Sequence, residues 1–222
     1  TKFICVGTNI EDSKESYTLA LNYENIFSTA GVHPHDTEEV AENYIDELYN
    51  LLKNEKVLAV GEIGLDYFKK LSDISIQKKI FAEQLELAQK INKPIVFHNR
   101  DSDDDIINIL SDFPNVYGVA HCFSSTYDVA KKLIDMGFYI SFSGNLTFKN
   151  SHLPDVAKRL PIERLLVETD SPFLSPVPYR GKTNEPGRTR FVADLLARLH
   201  NLSINEVAQI TTTNAKAVFN FS

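Results

Sequence analysis

Seven short apolar runs alternate along this chain with stretches of helical periodicity, and that alternation limits the fold more than any other feature. The runs cover residues 3–6, 26–30, 57–60, 95–97, 116–120, 138–142 and 165–167. None switches strictly between apolar and polar residues, so both faces of each are expected to be covered, as in a parallel sheet. Between them Val40, Tyr44, Leu48 and Leu51 or Leu52 form one helical stripe. Phe81, Leu85 and Ala88, flanked by Ile80 and Leu87, form a second, and Phe191, Val192, Leu195, Leu196 and Leu199 a later one. Met136-Gly137 suits a helix end, Asn92-Lys-Pro94 forces an exit, and Ser203-x-x-Glu206 reads as a capping box.

An alternation of this kind builds either a doubly wound open sheet or a (β/α)8 barrel. No glycine-rich phosphate loop follows the first run, which removes the strongest mark of a dinucleotide fold. The reading is therefore α/β, a TIM-type (β/α)8 barrel forming a single domain over residues 1–222, with seven strands counted and the first one missing. The chain opens at Thr1 rather than Met and runs straight into an apolar segment, as if starting in mid-fold. The longest irregular stretch, 171–186, holds four prolines with Arg180 and Lys182 and follows the last run. In a barrel such a loop belongs to the active-site face.

Composition narrows the function. A net charge of −7 argues against a broad basic surface that coats nucleic acid, but not against an enzyme that grips a nucleic-acid end through metals and a few local cations. Two cysteines, Cys5 and Cys122, make no disulfide framework, so a reducing, cytoplasmic compartment is expected. No apolar run approaches the roughly 18 residues of a membrane span. No signal peptide is visible, and no membrane partner is expected.

The chemistry gathers at the ends of the runs. Glu62 follows Val57-Leu-Ala-Val-Gly61 and reads as a carboxylate at a strand tip. It is either a metal bridge or a cap for the next helix, and Gly64-Leu-Asp66-Tyr67 can be read as turn residues. His98 ends Pro94-Ile-Val-Phe-His98, where core meets polar rim, and His121 ends Val116-Tyr-Gly-Val-Ala-His121. Asp170 closes Leu165-Leu-Val-Glu-Thr-Asp170; it is a turn residue or, in a metal barrel, a ligand that also takes a proton from the attacking water. In Gly31-Val-His-Pro-His35 the proline fixes a turn, so His33 is taken as the inward residue and His35 as lying near a helix cap. Arg100 either holds a substrate phosphate or pairs with Asp101. Cys122 is read as a small buried hydrophobe, and the serines at 124 and 125 as caps for the following helix. His152, His200, Lys149 and Lys182 are set aside.

Several of these segments together resemble the TatD family of metal-dependent deoxyribonucleases, over the whole chain. They are Gly31-Val-His-Pro34, Gly61-Glu-Ile-Gly-Leu-Asp-Tyr67, Phe97-His-Asn-Arg-Asp101, His121-Cys-Phe-Ser124, Ser143-Gly-Asn-Leu-Thr-Phe148, Glu168-Thr-Asp-Ser-Pro-Phe173 and Arg180-Gly-Lys-Thr-Asn-Glu-Pro186. The resemblance implies a metal-dependent hydrolase cutting DNA phosphodiester bonds. Glu62 would bridge two divalent ions (Mg, Mn or Zn), His98 and His121 would complete one site, and Asp170 would ligate the other ion and act as general base. His33 would lie near the scissile phosphate. Alternatives on the same site are a D-aminoacyl-tRNA deacylase, a small-ester hydrolase or an inactive barrel. The family's first strand ends in a His-x-His pair for the second ion, and nothing here precedes Thr1 to supply it, so at most one well-held ion is expected. A monomer acting on DNA or another nucleic-acid end is the expected assembly.

Overall fold

Every apolar run forms a strand, and each strand is followed by helical structure. The structure, a computed structural model, describes residues 2–220. These gather into two compact units, one reaching up to Val119 and the other beginning at Ala120.

In the first unit the order is β1 (Phe3–Cys5), α1 (Ile10–Asn22), β2 (Ile26–Ala30), α2 (Tyr44–Leu52), β3 (Val57–Asp66), α3 (Ile74–Ile91), β4 (Ile95–Arg100) and α4 (Asp103–Ser111). The pairs β1–β2, β2–β3 and β3–β4 are all parallel. Leu48 and Leu52 of α2 and Phe81 and Leu85 of α3 are fully buried, as are the strand residues Ile63, Ile95 and Phe97. Each such side chain contributes about 1.5–3 kcal/mol on leaving water. Val40, placed in the first stripe by periodicity, lies before α2 at the end of a 3-10 turn. Helix α3 starts at Asp73, whose side chain accepts the Ser75 N–H, and stops at Asn92 in the left-handed region, two residues before Pro94.

Two strands run further than their apolar runs. β3 continues to Asp66 and β4 to Arg100, so Glu62 and His98 lie inside strands rather than past their tips. Backbone pairing, from Ile63–Phe97 to Asp66–Arg100, carries on where side-chain hydrophobicity stops. The register also shifts: Val60 faces Ile95 and Ile63 faces Phe97, three steps against two. This is a bulge at Gly61-Glu62 that re-aims the carboxylate.

Strand β5 (Gly118–Ala120) lies at the boundary. The second unit continues with α5 (Tyr127–Asp135), β6 (Tyr139–Phe142), α6 (Leu153–Arg159), β7 (Leu165–Val167), α7 (Thr189–His200) and α8 (Ile204–Phe219). β6 and β7 are parallel. Phe138, Ile140, Phe142, Leu165 and Leu196 are buried in its core. Thr126, not the serine pair before it, caps α5 by accepting the Val129 N–H, because it sits extended three residues ahead of that donor. The Ser203–Glu206 capping box of α8 forms as read from the sequence. Buried Asn184 donates to the carbonyls of Thr169 (2.6 Å) and Phe173 (2.8 Å), strapping the irregular segment that carries Asp170.

Candidate metal centre

In the first unit three segments bring two histidines and a carboxylate together. The ligand atoms of His33, Glu62 and His98 all lie within 4.8 Å of one another. His33 Nε2 is 3.5 Å and His98 Nδ1 3.3 Å from Glu62 Oε1. Behind them sits Asp66, fully buried, with Oδ2 2.8 Å from His35 Nε2 and 3.1 Å from His98 Nε2. Its Oδ1 accepts the N–H groups of Phe68 (2.9 Å) and Lys69 (2.7 Å). Burial alone would raise this carboxyl, but the hydrogen bonds from His98, Lys69 and His35 win and hold it well below the usual carboxylate range. Burial likewise disfavours charge on His98, yet the hydrogen bonds to Asp66 and Glu62 outweigh it and raise its pKa.

Helix α3 sets the backbone of these segments. Gln84, buried, accepts the Val32 N–H (2.7 Å) and donates to the Val32 carbonyl (3.1 Å), just before His33. Gln77, also buried, does the same to Asp66, at 2.9 and 3.3 Å. Gly64 permits the close approach of β3 to β4: its φ is +124°, and a Cβ there would sit 2.1 Å from the His98 carbonyl oxygen.

The second unit repeats the pattern. His121 Nδ1 lies 2.9 Å from Glu168 Oε1, and its Nε2 is 3.5 Å from Asp170 Oδ1. Glu168 Oε1 also accepts the Cys122 N–H at 2.9 Å. Burial pushes the Cys122 thiol up to about 12, against the opposing pull of His121, so it is a neutral thiol rather than a thiolate at neutral pH.

These donor sets fit a divalent cation. An ionised Asp66 accepts only, so when His98 gives up a proton it keeps the one on Nε2 and turns the Nδ1 lone pair toward the Glu62 carboxylate, where a cation would take the place of the lost proton. Two acceptors at 3.3 Å call for positive charge beside them. Mixed nitrogen and oxygen donors suit Mg, Mn or Zn without choosing among them. Asp66 and Glu168 stand where carboxylates behind metal-bound histidines fix ring orientation.

Of the residues picked from sequence, Glu62, His98 and His33 meet in the first unit, and His121 and Asp170 meet in the second. Arg100 is not joined to Asp101: its guanidinium lies 3.9 Å from the centre of the Phe68 ring. His35 lies near a helix cap as read, in the first turn of the 3-10 helix where His33 Nδ1 accepts its N–H, and its ring also reaches Asp66. Asp66 and Glu168 were missed. Asp66 had a spacing signal, since it follows Glu62 by four positions and so shares a strand face with it, whereas Glu168 and Asp170 lie beyond β7, with Asp170 in the left-handed region.

The family model for "TatD related DNase" matches residues 1–220. The chain is 40% identical to the uncharacterized metal-dependent hydrolase YabD of Bacillus subtilis, over 98% of this chain and 87% of the relative. It is 35% identical to a protein of Edwardsiella piscicida named 3'-5' ssDNA/RNA exonuclease TatD, over 97% and 86%. Among solved structures, YJJV, a TatD homologue of Escherichia coli, superposes with a TM-score of 0.92 at 31% identity, covering 100% of this chain and 87% of its own. The fold is the α/β, TIM-type barrel architecture of these hydrolases. The chain belongs to the TatD family of metal-dependent hydrolases.

Proposed function

We propose that this hydrolase cleaves phosphodiester bonds of DNA, acting at an accessible nucleic-acid end. The observation that carries the reading is the His33–Glu62–His98 cluster, backed by Asp66, in a chain 35% identical to a protein named as an exonuclease. Glu62 and His98 would hold a divalent ion in the first unit, and His121 and Asp170 offer a second nitrogen–oxygen pair. Divalent ions held there would supply polarisation of the phosphoryl oxygen and a hydroxide at neutral pH. Asp170 takes the proton of the attacking water on its carboxylate. His33, fixed at Nδ1 by the His35 N–H, holds Nε2 3.5 Å from Glu62 Oε1, where it would meet a phosphate drawn to that cluster, and Arg100 would add a positive charge. A cytoplasmic location agrees with two free cysteines. Among the described residues no helix is long and apolar enough to cross a membrane.

The test is hydrolysis of a labelled single-stranded oligonucleotide with added Mg²⁺, Mn²⁺ or Zn²⁺, beside Asp170→Asn. Cleavage that falls by about 10²–10⁴ in the variant supports the reading. An enzyme inert on oligonucleotides but active on aminoacyl-tRNA or simple esters overturns it, and rates indifferent to salt mark the simple-ester case. Binding through several phosphates weakens steeply as salt rises. The net charge of −7 favours a small or end-bound substrate over long duplex DNA.

A further inference from the structure

Phe68 is a large apolar side chain left 57% exposed, two residues after Asp66. An exposed phenylalanine in a turn is commonly incidental. Three observations separate this one from that case. Its backbone is not loose: the Phe68 N–H is bonded to Asp66 Oδ1, the carboxylate whose other oxygen contacts His35 and His98. The Phe68 backbone is therefore tied through one carboxylate to the histidine cluster. Secondly, the Arg100 guanidinium is packed 3.9 Å from the ring centre. It comes from the end of β4, two positions after His98. With one face covered in this way, the remaining exposure belongs to the other face and the edge, so a flat surface is left open to solvent.

The third observation is charge. Among the described residues Arg100 has no carboxylate in an ion pair, although Asp101 adjoins it and α4 opens with three aspartates. One of these, Asp105, is occupied by Lys78 (2.7 Å) and the Tyr67 hydroxyl (2.7 Å). Lys69 and Lys70 follow Phe68 and are exposed. In a chain with a net charge of −7, a free arginine and two lysines around an open aromatic face form a local basic spot beside the cluster. An aromatic platform with flanking cations is how sequence-tolerant sites hold single-stranded nucleic acid: bases stack on the ring and phosphates meet the charges.

We infer that Phe68, braced by Arg100, is a stacking platform for an unpaired nucleobase of the substrate, and that this platform makes the enzyme prefer single-stranded nucleic acid over a bare phosphodiester. The inference rests on the nuclease reading above. A paired base keeps both faces stacked in the duplex, so only an unpaired one can reach the ring.

The experiment compares wild type, Phe68→Ala and Phe68→Trp on two oligonucleotides of equal length, one normal and one with stable abasic positions throughout. KM for hydrolysis is measured, together with affinity by fluorescence anisotropy in EDTA. Phe68→Ala is expected to raise KM and the dissociation constant for the normal strand by about tenfold while leaving the abasic strand unchanged. Phe68→Trp is expected to keep wild-type values. Equal losses on both strands would make the ring a structural element and overturn the inference. No loss on either, with wild type still cutting both, overturns the inference while leaving the nuclease reading intact. A wild type that cuts and binds neither strand overturns both.

Discussion

Gln77 and Gln84 stand seven residues apart on one face of α3, and each gives both ends of its amide to the backbone of a single residue, Asp66 and Val32 respectively. Two helical turns of one buried helix thus set the height of two site-bearing segments. Replacing Gln84 by Met leaves the Val32 N–H and carbonyl buried without that partner, at about 1–3 kcal/mol for each group. Urea unfolding of Gln84→Met should show a clear drop in midpoint with little change in slope. An unchanged midpoint would mean the backbone finds other donors.

Asp66 should govern metal affinity without touching the ion. Carboxylates behind histidine ligands typically change affinity by about 10–100-fold when removed. Equilibrium dialysis with Mn²⁺ should place Asp66→Asn in that range and show Glu62→Ala more severely affected. Wild-type affinity in Asp66→Asn would remove Asp66 from the site.

The same carboxyl predicts an acid response of the metal-free protein. Its folded pKa lies below the ordinary value of about 3.9, so its stabilising effect is complete above that value and is lost as pH falls toward the folded one. Asp66→Asn should be less stable at neutral pH, and its stability should fall less steeply than wild type's below about pH 4. Parallel curves for the two proteins would contradict the assignment.

Gly64 tests the close passage of β3 along β4. Gly64→Ala demands both a positive φ and a Cβ 2.1 Å from the His98 carbonyl. The expected cost is several kcal/mol, at the upper end of single substitutions, and thermal unfolding should register it. A near-neutral variant would show that the strands can part there without penalty.

The strands were legible because each is a short, mostly apolar run such as Val57–Val60, and the helix ends because Asn92 and Pro94 at a stop and Ser203 at a start have specific backbone chemistry. His98, His121 and Glu62 were legible as polar residues abutting apolar ones. Asp66 was not, since the polar and glycine-containing Gly64-Leu-Asp66-Tyr67 has turn composition, and only pairing with β4 keeps it extended. His35 does lie beside a helix cap as read, but its contact with Asp66 had no signal, since a proline-fixed turn does not say what the second ring meets. The glutamines of α3 had no local signal at all: their partners lie 11 and 52 residues away.

The bulge at Gly61-Glu62 has a consequence for how this segment tolerates change in length. Because three steps on β3 face two on β4, Val60 and Ile63 share a side of the sheet although an odd number of positions separates them, and Glu62 and Asp66 take the opposite side. Deleting one residue here would flatten the strand and exchange the two sides, sending carboxylates into the core and isoleucine toward the histidines. The stretch can therefore trade one apolar side chain for another, but a single-residue insertion or deletion between Val60 and Asp66 should abolish the metal cluster even if the strand still forms.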